Sequence, residues 1–331
     1  MSHLANYLHA TDRSIEGWLK GVRTPMKQGD RTMSRESSLI KRIPLIALAF
    51  CTLMASPLRA DDASQSAFSF GTYWGPPISE LKKIGFSGIA GGMWKQPGLD
   101  RLGRFQEAIG DDDSFKIHAG YIHFYFDRDL AAQNAHLDKA IQALAKSDSK
   151  LWLLVSGRGE EEVPREEIVA FLHSVAERGK AAGVEVVIYP EWSGPGKDSI
   201  IKTAEEALSY IKEAESDNLF VTLHLCHELK AGNGDRLEDI AAKIKPWLRL
   251  ATINGADEDA ADELDGWTRT IQPLGMGTYD SSKLLKALKS IGYEGPVILH
   301  TGGGLARRTP AGHQRTSFKR FQEIVDALNE D

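Results

Sequence analysis

The feature that most constrains the fold is a regular alternation of apolar, β-branched runs with helical stretches between residues 68 and 328. Eight strand-like runs occur, and each is followed by a segment with helical spacing of its apolar residues. Strict alternation of this kind requires parallel pairing with right-handed crossovers. An open doubly wound sheet is one solution, but eight units of similar size favour a closed barrel. We therefore predict an α/β fold, a single-domain (β/α)8 TIM barrel over residues 68–331.

Polar residues stand at or just beyond the ends of strand-like runs in the second half of the chain. Three of these runs are 184–191, 219–227 and 296–300. Glu191 ends the first, His224 and His227 lie near the end of the second, and His300 ends the third. Because the carboxyl ends of parallel barrel strands converge on one rim, these side chains are predicted to share a site. Carboxylate and imidazole groups together suggest a metal site, whereas hydrogen-bonded structural histidines are the alternative.

Several short strings resemble the xylose-isomerase-like TIM-barrel superfamily of sugar isomerases, sugar-phosphate epimerases and related endonucleases. They are Ile188-Tyr189-Pro190-Glu191, Thr222-Leu223-His224-Leu225-Cys226-His227 with Ala231-Gly232 after it, Gly275-Met276-Gly277, and the stretch from Gly292 to His300. Their order and spacing carry the resemblance more than any one string does. It extends over roughly residues 68–328.

The resemblance implies one divalent metal ion, held at the ends of strands five to eight. Glu191 matches the family's glutamate on strand five. His224 stands where the family has an aspartate, and His227 matches its substrate-contacting histidine. Asn254 aligns best with the histidine on strand seven, and His300 falls on the last carboxylate. The implied metal ligands are therefore Glu191, His224, Asn254 and His300, although Asn254 as a simple loop cap is the alternative.

These departures change the expected chemistry. Imidazole donors suit Zn²⁺, Fe²⁺ or Ni²⁺ better than Mg²⁺, while Mn²⁺ and Co²⁺ remain open through the resemblance. With His300 in place of a carboxylate, a relay between two carboxylates is in doubt. The predicted catalytic residues are Glu191, His227 and His300, since a carboxylate and imidazoles can exchange protons near neutral pH.

Further side chains near strand ends are predicted to contact substrate. They are Trp74, Trp94, Tyr121, His123, Trp192 and Lys230. Aromatic rings at a barrel mouth can stack on sugar faces, although packing in the core is an equally good interpretation. Lys230 would neutralise an anionic substrate, for which a solvated surface lysine is the alternative.

The amino-terminal region has the pattern of an export signal. Lys41 and Arg42 precede an apolar run over residues 43–55, which is too short for a comfortable membrane span, and cleavage after Ala60 is expected. We therefore expect residues 1–32 to be a disordered, mis-called extension upstream of a start at Met33, 33–60 a signal peptide and 61–67 a short linker. The mature protein is predicted to be periplasmic or secreted, without a stable membrane span. An uncleaved anchor is the alternative.

The charge of the chain limits the classes of molecule that it is expected to bind. A net charge of −6 argues against a nucleic-acid binder, which normally presents a basic face. The predicted partner is a small carbohydrate, and an oligomer is left open. We expect an isomerase or epimerase that acts on a free sugar or a similar polyol. The alternatives are a metal-dependent lyase or hydrolase on a glycoside or keto-sugar, and a barrel that binds carbohydrate without turnover.

Overall fold

The structure, a computed structural model, describes residues 68–73, 75–157, 162–192, 199–259, 267–300 and 310–330. The predicted extension, signal peptide and linker (residues 1–67) lie outside the described residues, and so does Trp74. Among the residues described, no helix combines the length and the apolar character needed to cross a membrane.

Eight parallel strands close into a barrel in sequence order, with the first strand paired to the last. They are β1 Ser69–Tyr73, β2 Gly88–Gly92, β3 Lys116–Tyr125, β4 Lys150–Ser156, β5 Val186–Ile188, β6 Leu219–His224, β7 Leu248–Ile253 and β8 Pro296–Leu299. Most strand residues are buried on both faces, as expected where helices cover a parallel sheet. The predicted TIM barrel is confirmed.

Helices cover the outside of the barrel. They are α1 Ile78–Ile84, α2 Lys95–Ile109, α3 Leu130–Leu144, α4 Arg165–Ala181, α5 Ala204–Ala214, α6 Leu225–Lys230, α7 Leu237–Ile244, α8 Trp267–Thr270, α9 Ser282–Ser290 and α10 Pro310–Glu330, with 3-10 turns at Ala145–Ser147 and Lys245–Trp247. The sequence predicted one helix after each strand. In the described residues α6 and α8 are additional, and both lie beyond the carboxyl ends of barrel strands, where α6 begins directly after His224.

Local interactions determine where two of the helices begin. Helix α5 begins at Ala204. The Thr203 hydroxyl caps it by accepting from the Glu206 N–H at 3.2 Å, and the Glu206 carboxylate accepts from the Lys202 N–H. Helix α10 begins at Pro310, since proline is well tolerated at a first helical position.

The strands separate two apolar clusters, one against the helices and one inside the barrel. The inner cluster consists of Tyr73, Ala90, Ala119, Tyr121, Trp152, Leu154, Val187, Tyr189, Phe220, Leu250 and Ile298. Because side chains two residues apart along a strand point the same way, this cluster identifies the inward positions of every strand. The same period leads from Phe220 to His224, from Leu250 to Asn254 and from Ile298 to His300. The chain pattern thus directs these three polar side chains into the carboxyl end of the barrel.

Candidate metal centre

Two buried imidazoles meet at the carboxyl end of the barrel. The rings of His224 and His300 lie 4.9 Å apart, edge to face. His224 is fully buried as the last residue of β6, and His300 is 6% exposed just after β8. The His300 backbone N–H donates to the Ile253 carbonyl at 2.9 Å, which extends the pairing of β7 with β8 and holds this residue in place.

Thr252 orients the His224 ring. Its hydroxyl lies 2.8 Å from His224 Nδ1, and both side chains are fully buried. Nε2 of the same ring is buried and has no hydrogen-bond partner. A metal-bound histidine is normally held in this way, with one nitrogen on a protein partner and the other free for the ion. Nε2 is therefore the nitrogen that His224 can offer to a ligand.

A thiol completes a compact donor cluster. One ligand-type atom each from His224, Cys226 and His300 lies within 4.8 Å of the other two. All three residues are buried, and the Cys226 sulfur is 3.3 Å from His224 Nδ1. His300 Nδ1, like His224 Nε2, has no hydrogen-bond partner. Buried polar atoms are nearly always paired, so two such nitrogens in one cluster point to a missing ligand.

His227 belongs to the same group of rings but is held by protein partners on both sides. It lies in α6, with its ring 4.4 Å from that of His224. Nδ1 accepts from the Trp192 backbone N–H at 3.1 Å, and Nε2 is 3.3 Å from the Tyr189 hydroxyl. With both nitrogens engaged, His227 fits the predicted substrate-facing role better than a ligand role.

Asn254 lies just after β7 and serves the local structure with its amide nitrogen. Nδ2 donates to the carbonyls of Gly255 at 2.9 Å and Thr270 at 2.7 Å, which ties α8 to the barrel rim. Its Oδ1 is buried without a hydrogen-bond partner. The amide oxygen is thus available for an ion or substrate, and the loop-anchoring role coexists with it.

Glu191 follows β5 by three residues and is half-buried. Its backbone N–H donates to the Ile201 carbonyl at 2.9 Å. After burial itself, the nearby negative charge of Glu191 is the next cause that raises the pKa of Tyr121 and of Cys226. The charge of the carboxylate therefore acts on the thiol and on Tyr121 through space.

Burial keeps the three imidazoles neutral. The pKa values of His224 and His227 are well below the usual value, first because of burial and then because of neighbouring imidazoles. Burial alone lowers the pKa of His300 to about 4. Neutral imidazoles have a free lone pair at physiological pH, and that is the state in which histidine binds metals.

The donor set can be tested against the metal ions that enzymes use. Two neutral imidazoles, a thiol and a nearby carboxylate suit zinc and similar borderline ions, whereas Mg²⁺ prefers oxygen ligands. The unpartnered nitrogens of His224 and His300 are the observation that supports this fit. The residues that would hold such an ion are His224 and His300, and the predicted ligand Glu191 is not among the donor atoms that lie within 4.8 Å of one another. The Asn254 amide oxygen is also buried at the barrel mouth.

Aromatic rings line the barrel interior beneath and beside the donor cluster. The Tyr189 ring lies 4.7 Å from those of Trp152 and His224, and Tyr73 lies 5.6 Å from His300. Tyr121 is 5.1 Å from Tyr189. A wall of flat apolar faces next to polar groups is suited to a sugar, which presents C–H groups on its faces and hydroxyls at its edge.

The other predicted contact residues are distributed around this wall. Trp94 is 49% exposed with its ring 5.5 Å from Tyr121, at the outer edge of the wall. The His123 Nε2 lies 2.6 Å from the Ser156 hydroxyl. Trp192 is half-buried and contacts His227 through its backbone. Lys230, expected as a solvated lysine in the alternative interpretation, is instead 4% exposed, with its ammonium 5.8 Å from the Trp267 ring centroid.

Sequence reasoning passed over Cys226, Thr252 and Tyr189 as site residues. Thr252 lies at an inward position of β7, two residues before Asn254, so the period of the strand could have identified it. Cys226 lies between two histidines of the predicted site, which was a usable signal. Tyr189 belongs to the strand-five motif but gives no separate signal, because an aromatic residue in a strand usually packs in the core.

Comparisons with known proteins identify the family and the fold of the chain. A family model described as "Xylose isomerase-like TIM barrel" matches residues 78–329. The 3-keto-D-glucoside 4-epimerase of E. coli is 16% identical with a TM-score of 0.60, over 77% of this chain and 99% of that one. A xylose isomerase domain protein from Planctomyces limnophilus is 13% identical with a TM-score of 0.61, over 80% and 98%.

A D-allulose 3-epimerase from Methylomonas sp. is similar to the same extent, with 16% identity and a TM-score of 0.57 over 80% of this chain and 97% of that one. No match was found among curated protein sequences. At these identities the likeness to the solved structures establishes the fold, while the family model establishes the relationship.

Proposed function

Because the chain belongs to the xylose isomerase-like TIM barrel family, we propose that it is a metal-dependent sugar isomerase or epimerase. The observation that carries the proposal is a set of five buried polar atoms without hydrogen-bond partners, all on inward positions of the barrel. They are Trp152 Nε1, Thr222 Oγ1, His224 Nε2, Asn254 Oδ1 and His300 Nδ1. A purely structural interior would have paired or replaced such groups, so their clustering supports a ligand-binding interior.

The proposed chemistry assigns a different task to each residue. A divalent ion on His224 and His300 would polarise a substrate carbonyl and so acidify the neighbouring C–H. Glu191 is the proposed base at that carbon, because its carboxylate follows β5 at the carboxyl end of the barrel and a carboxylate can accept a proton there. His227 donates from Nε2 to the Tyr189 hydroxyl in its neutral form, and it is proposed to orient that hydroxyl towards the sugar.

The proposed substrate is an unphosphorylated sugar or sugar-like polyol. Support comes from the aromatic wall of Tyr73, Tyr121, Trp152 and Tyr189, which suits the apolar faces of a neutral ring. The proposed export of the mature chain to the periplasm or beyond is consistent with a free sugar, since phosphorylated intermediates stay in the cytoplasm. Two of the solved structures named above are sugar epimerases and the third is a xylose isomerase domain protein, in agreement with this substrate class.

Proton exchange tests the proposal directly. Free ketoses and keto-glycosides incubated with the protein in D2O are expected to gain deuterium at the carbon next to the carbonyl, measured by NMR. Glu191→Gln should abolish the exchange, since the amide is not a base. Glu166→Gln, at an exposed position in the first turn of α4, is the matched control and should leave it unchanged. Absence of exchange with every sugar of the panel would contradict the proposal.

A lyase or hydrolase is the second candidate, and the donor set is the observation that favours it. Two histidines with a glutamate and an open position form a common catalytic zinc arrangement, in which a bound water is activated. Cleavage of a glycoside or keto-sugar without deuterium gain in the recovered substrate would support this candidate over the isomerase.

A further inference from the structure

Cys226 is the member of the donor cluster to which the proposed reaction gives no task. It is fully buried in the first turn of α6, directly after His224 at the end of β6. Helix α6 begins directly after β6, without an intervening loop. The chain therefore turns back at once, and the Cys226 thiol lies against the imidazole of His224. The sulfur is 3.3 Å from His224 Nδ1 and belongs to the group of donor atoms that lie within 4.8 Å of one another.

A buried cysteine alone is usually a small apolar residue. Here two independent neighbours indicate a ligand. His224 Nε2 and His300 Nδ1 are buried polar atoms without hydrogen-bond partners, in side chains that are 0% and 6% exposed. An apolar role for Cys226 would explain the thiol but would leave both nitrogens unexplained.

We propose that Cys226 supplies a sulfur ligand, an inference that rests on the proposed metal site. His224, His300 and Cys226 then form a nitrogen–sulfur site selective for Zn²⁺ and similar ions. The thiol binds as thiolate, and its proton is released to solvent when the ion enters. No oxidation or reduction is involved. Thiolate and imidazole select Zn²⁺ or Co²⁺ over Mg²⁺ and Mn²⁺, which prefer carboxylate, carbonyl and water oxygens.

The selectivity follows from the composition of the barrel mouth. Among the residues that the structure describes, the donor atoms within 4.8 Å of one another belong to two imidazoles and a thiol and include no carboxylate, so an oxygen-preferring ion would lack its usual ligands there. The ring of His224 is held on Thr252, and the backbone of His300 is held by Ile253. Two of the three donors are thus preorganised by neighbours on β7, which favours binding without rearrangement.

Cobalt spectroscopy on the full chain tests the assignment. The protein is prepared with Cys51→Ser, so that Cys226 is the one thiol in the sequence, and is titrated with Co²⁺. A sulfur ligand produces a sulfur-to-cobalt charge-transfer band in the near ultraviolet, in addition to the visible bands of bound cobalt. We expect that band in the Cys51→Ser protein and its loss in Cys51→Ser/Cys226→Ser.

Competition gives a second readout. Zn²⁺ is expected to displace Co²⁺ stoichiometrically, while excess Mg²⁺ or Mn²⁺ leaves the spectrum unchanged. Cys226→Ser should weaken Zn²⁺ binding by at least about 100-fold, beyond the roughly 10- to 100-fold range for loss of a group that only supports a ligand. Cys226→Ala and urea unfolding of the metal-free variants check that any loss is not a failure to fold.

The outcomes separate this inference from the proposed function. Bound cobalt with visible bands but no charge-transfer band, and equal Zn²⁺ affinity in Cys226→Ser, would overturn the sulfur ligand and leave the proposed metal enzyme standing. A Cys51→Ser protein that binds neither Co²⁺ nor Zn²⁺ would overturn both.

Discussion

Both ends of the barrel bury histidine, and the two ends use it in opposite ways. At the carboxyl end, His224 and His300 each have a nitrogen without a partner. At the amino end, the buried His118 has its Nε2 3.4 Å from the Ser69 hydroxyl. Burial is similar in both places, so burial by itself does not distinguish a site from a core. The difference lies in whether neighbouring groups form hydrogen bonds with the ring nitrogens.

Two glycines leave room for the His118 ring at the amino end of the barrel. His118 is the extra residue of a β-bulge, since Ile117 pairs with Ile89 and Ala119 with Ala90. A Cβ added at Gly88 would lie 2.3 Å from His118 Nε2, and one at Gly71 would lie 2.8 Å from the same ring. The ring thus fills the space that two missing side chains leave. The amino end is filled by packed side chains, whereas the carboxyl end contains two ring nitrogens without hydrogen-bond partners.

The largest expected effect is loss of metal binding at one end only. His224→Ala or His300→Ala should lower the bound zinc, measured by elemental analysis after dialysis, to near zero, because each removes a donor with no substitute. His118→Ala is the matched control at the other end and should keep its zinc although it leaves a cavity. Equal zinc in all three variants would show that the two ends do not differ as described.

Gly88→Ala should destabilise the amino end of the barrel and leave zinc binding unchanged. The new Cβ would meet both the His118 ring and the Lys116 carbonyl oxygen, the latter at 2.4 Å. Overpacking of this kind should lower the free energy of unfolding by about 3 kcal/mol in a urea titration. Gly103→Ala is the matched control, because its Cβ would meet nothing within 4 Å and it lies inside helix α2. That variant should gain about 0.5–1 kcal/mol.

The pH dependence of stability should report His118. Burial, followed by the charges of Lys150 and Lys116, lowers its pKa from 6.5 to about 3 in the folded protein. The unfolded chain therefore binds the proton first, so this contribution is complete above pH 6.5 and is lost as the pH falls from 6.5 towards 3.

His118 contributes at most about 1.4 kcal/mol per pH unit to the loss within that interval, and the other buried histidines add to it in the metal-free protein. Urea unfolding of the metal-free protein at pH 6.5 and one unit below measures it, with His118→Gln as the reference that lacks the titrating ring. A slope that is unchanged in His118→Gln would assign the acid sensitivity to other groups.

The smallest expected effects come from two threonines on neighbouring strands. Thr252→Val removes the hydroxyl that holds His224 Nδ1 and should weaken zinc binding by about 10- to 100-fold. Thr222→Val removes a buried hydroxyl that has no hydrogen-bond partner, and should leave zinc binding unchanged while raising the free energy of unfolding by up to ~1 kcal/mol. Calorimetric zinc titration and urea unfolding of both variants measure these effects. Zinc binding that is equal in the two would deny Thr252 its orienting role.

The architecture and the direction of the site side chains could be predicted from the sequence. Eight apolar runs in alternation with helices require a parallel barrel, and the two-residue period of a strand points His224, Asn254 and His300 inward. Both are local properties of the chain, and each depends on residues only a few positions apart. The predicted role of Glu191 rested on the end of its strand in the same way.

The tertiary structure alone decided which of these groups are satisfied. Thr252 is far from His224 in the chain, and Trp192 is far from His227, yet each engages a ring nitrogen. Cys226 reaches the cluster because α6 begins without a loop, and His118 turns inward because of a bulge. Barrel closure sets these distances, since it brings together strand ends that sequence spacing leaves unrelated. The period of a strand determines where a side chain points. Only the neighbours that packing brings together determine whether its polar atoms have hydrogen-bond partners.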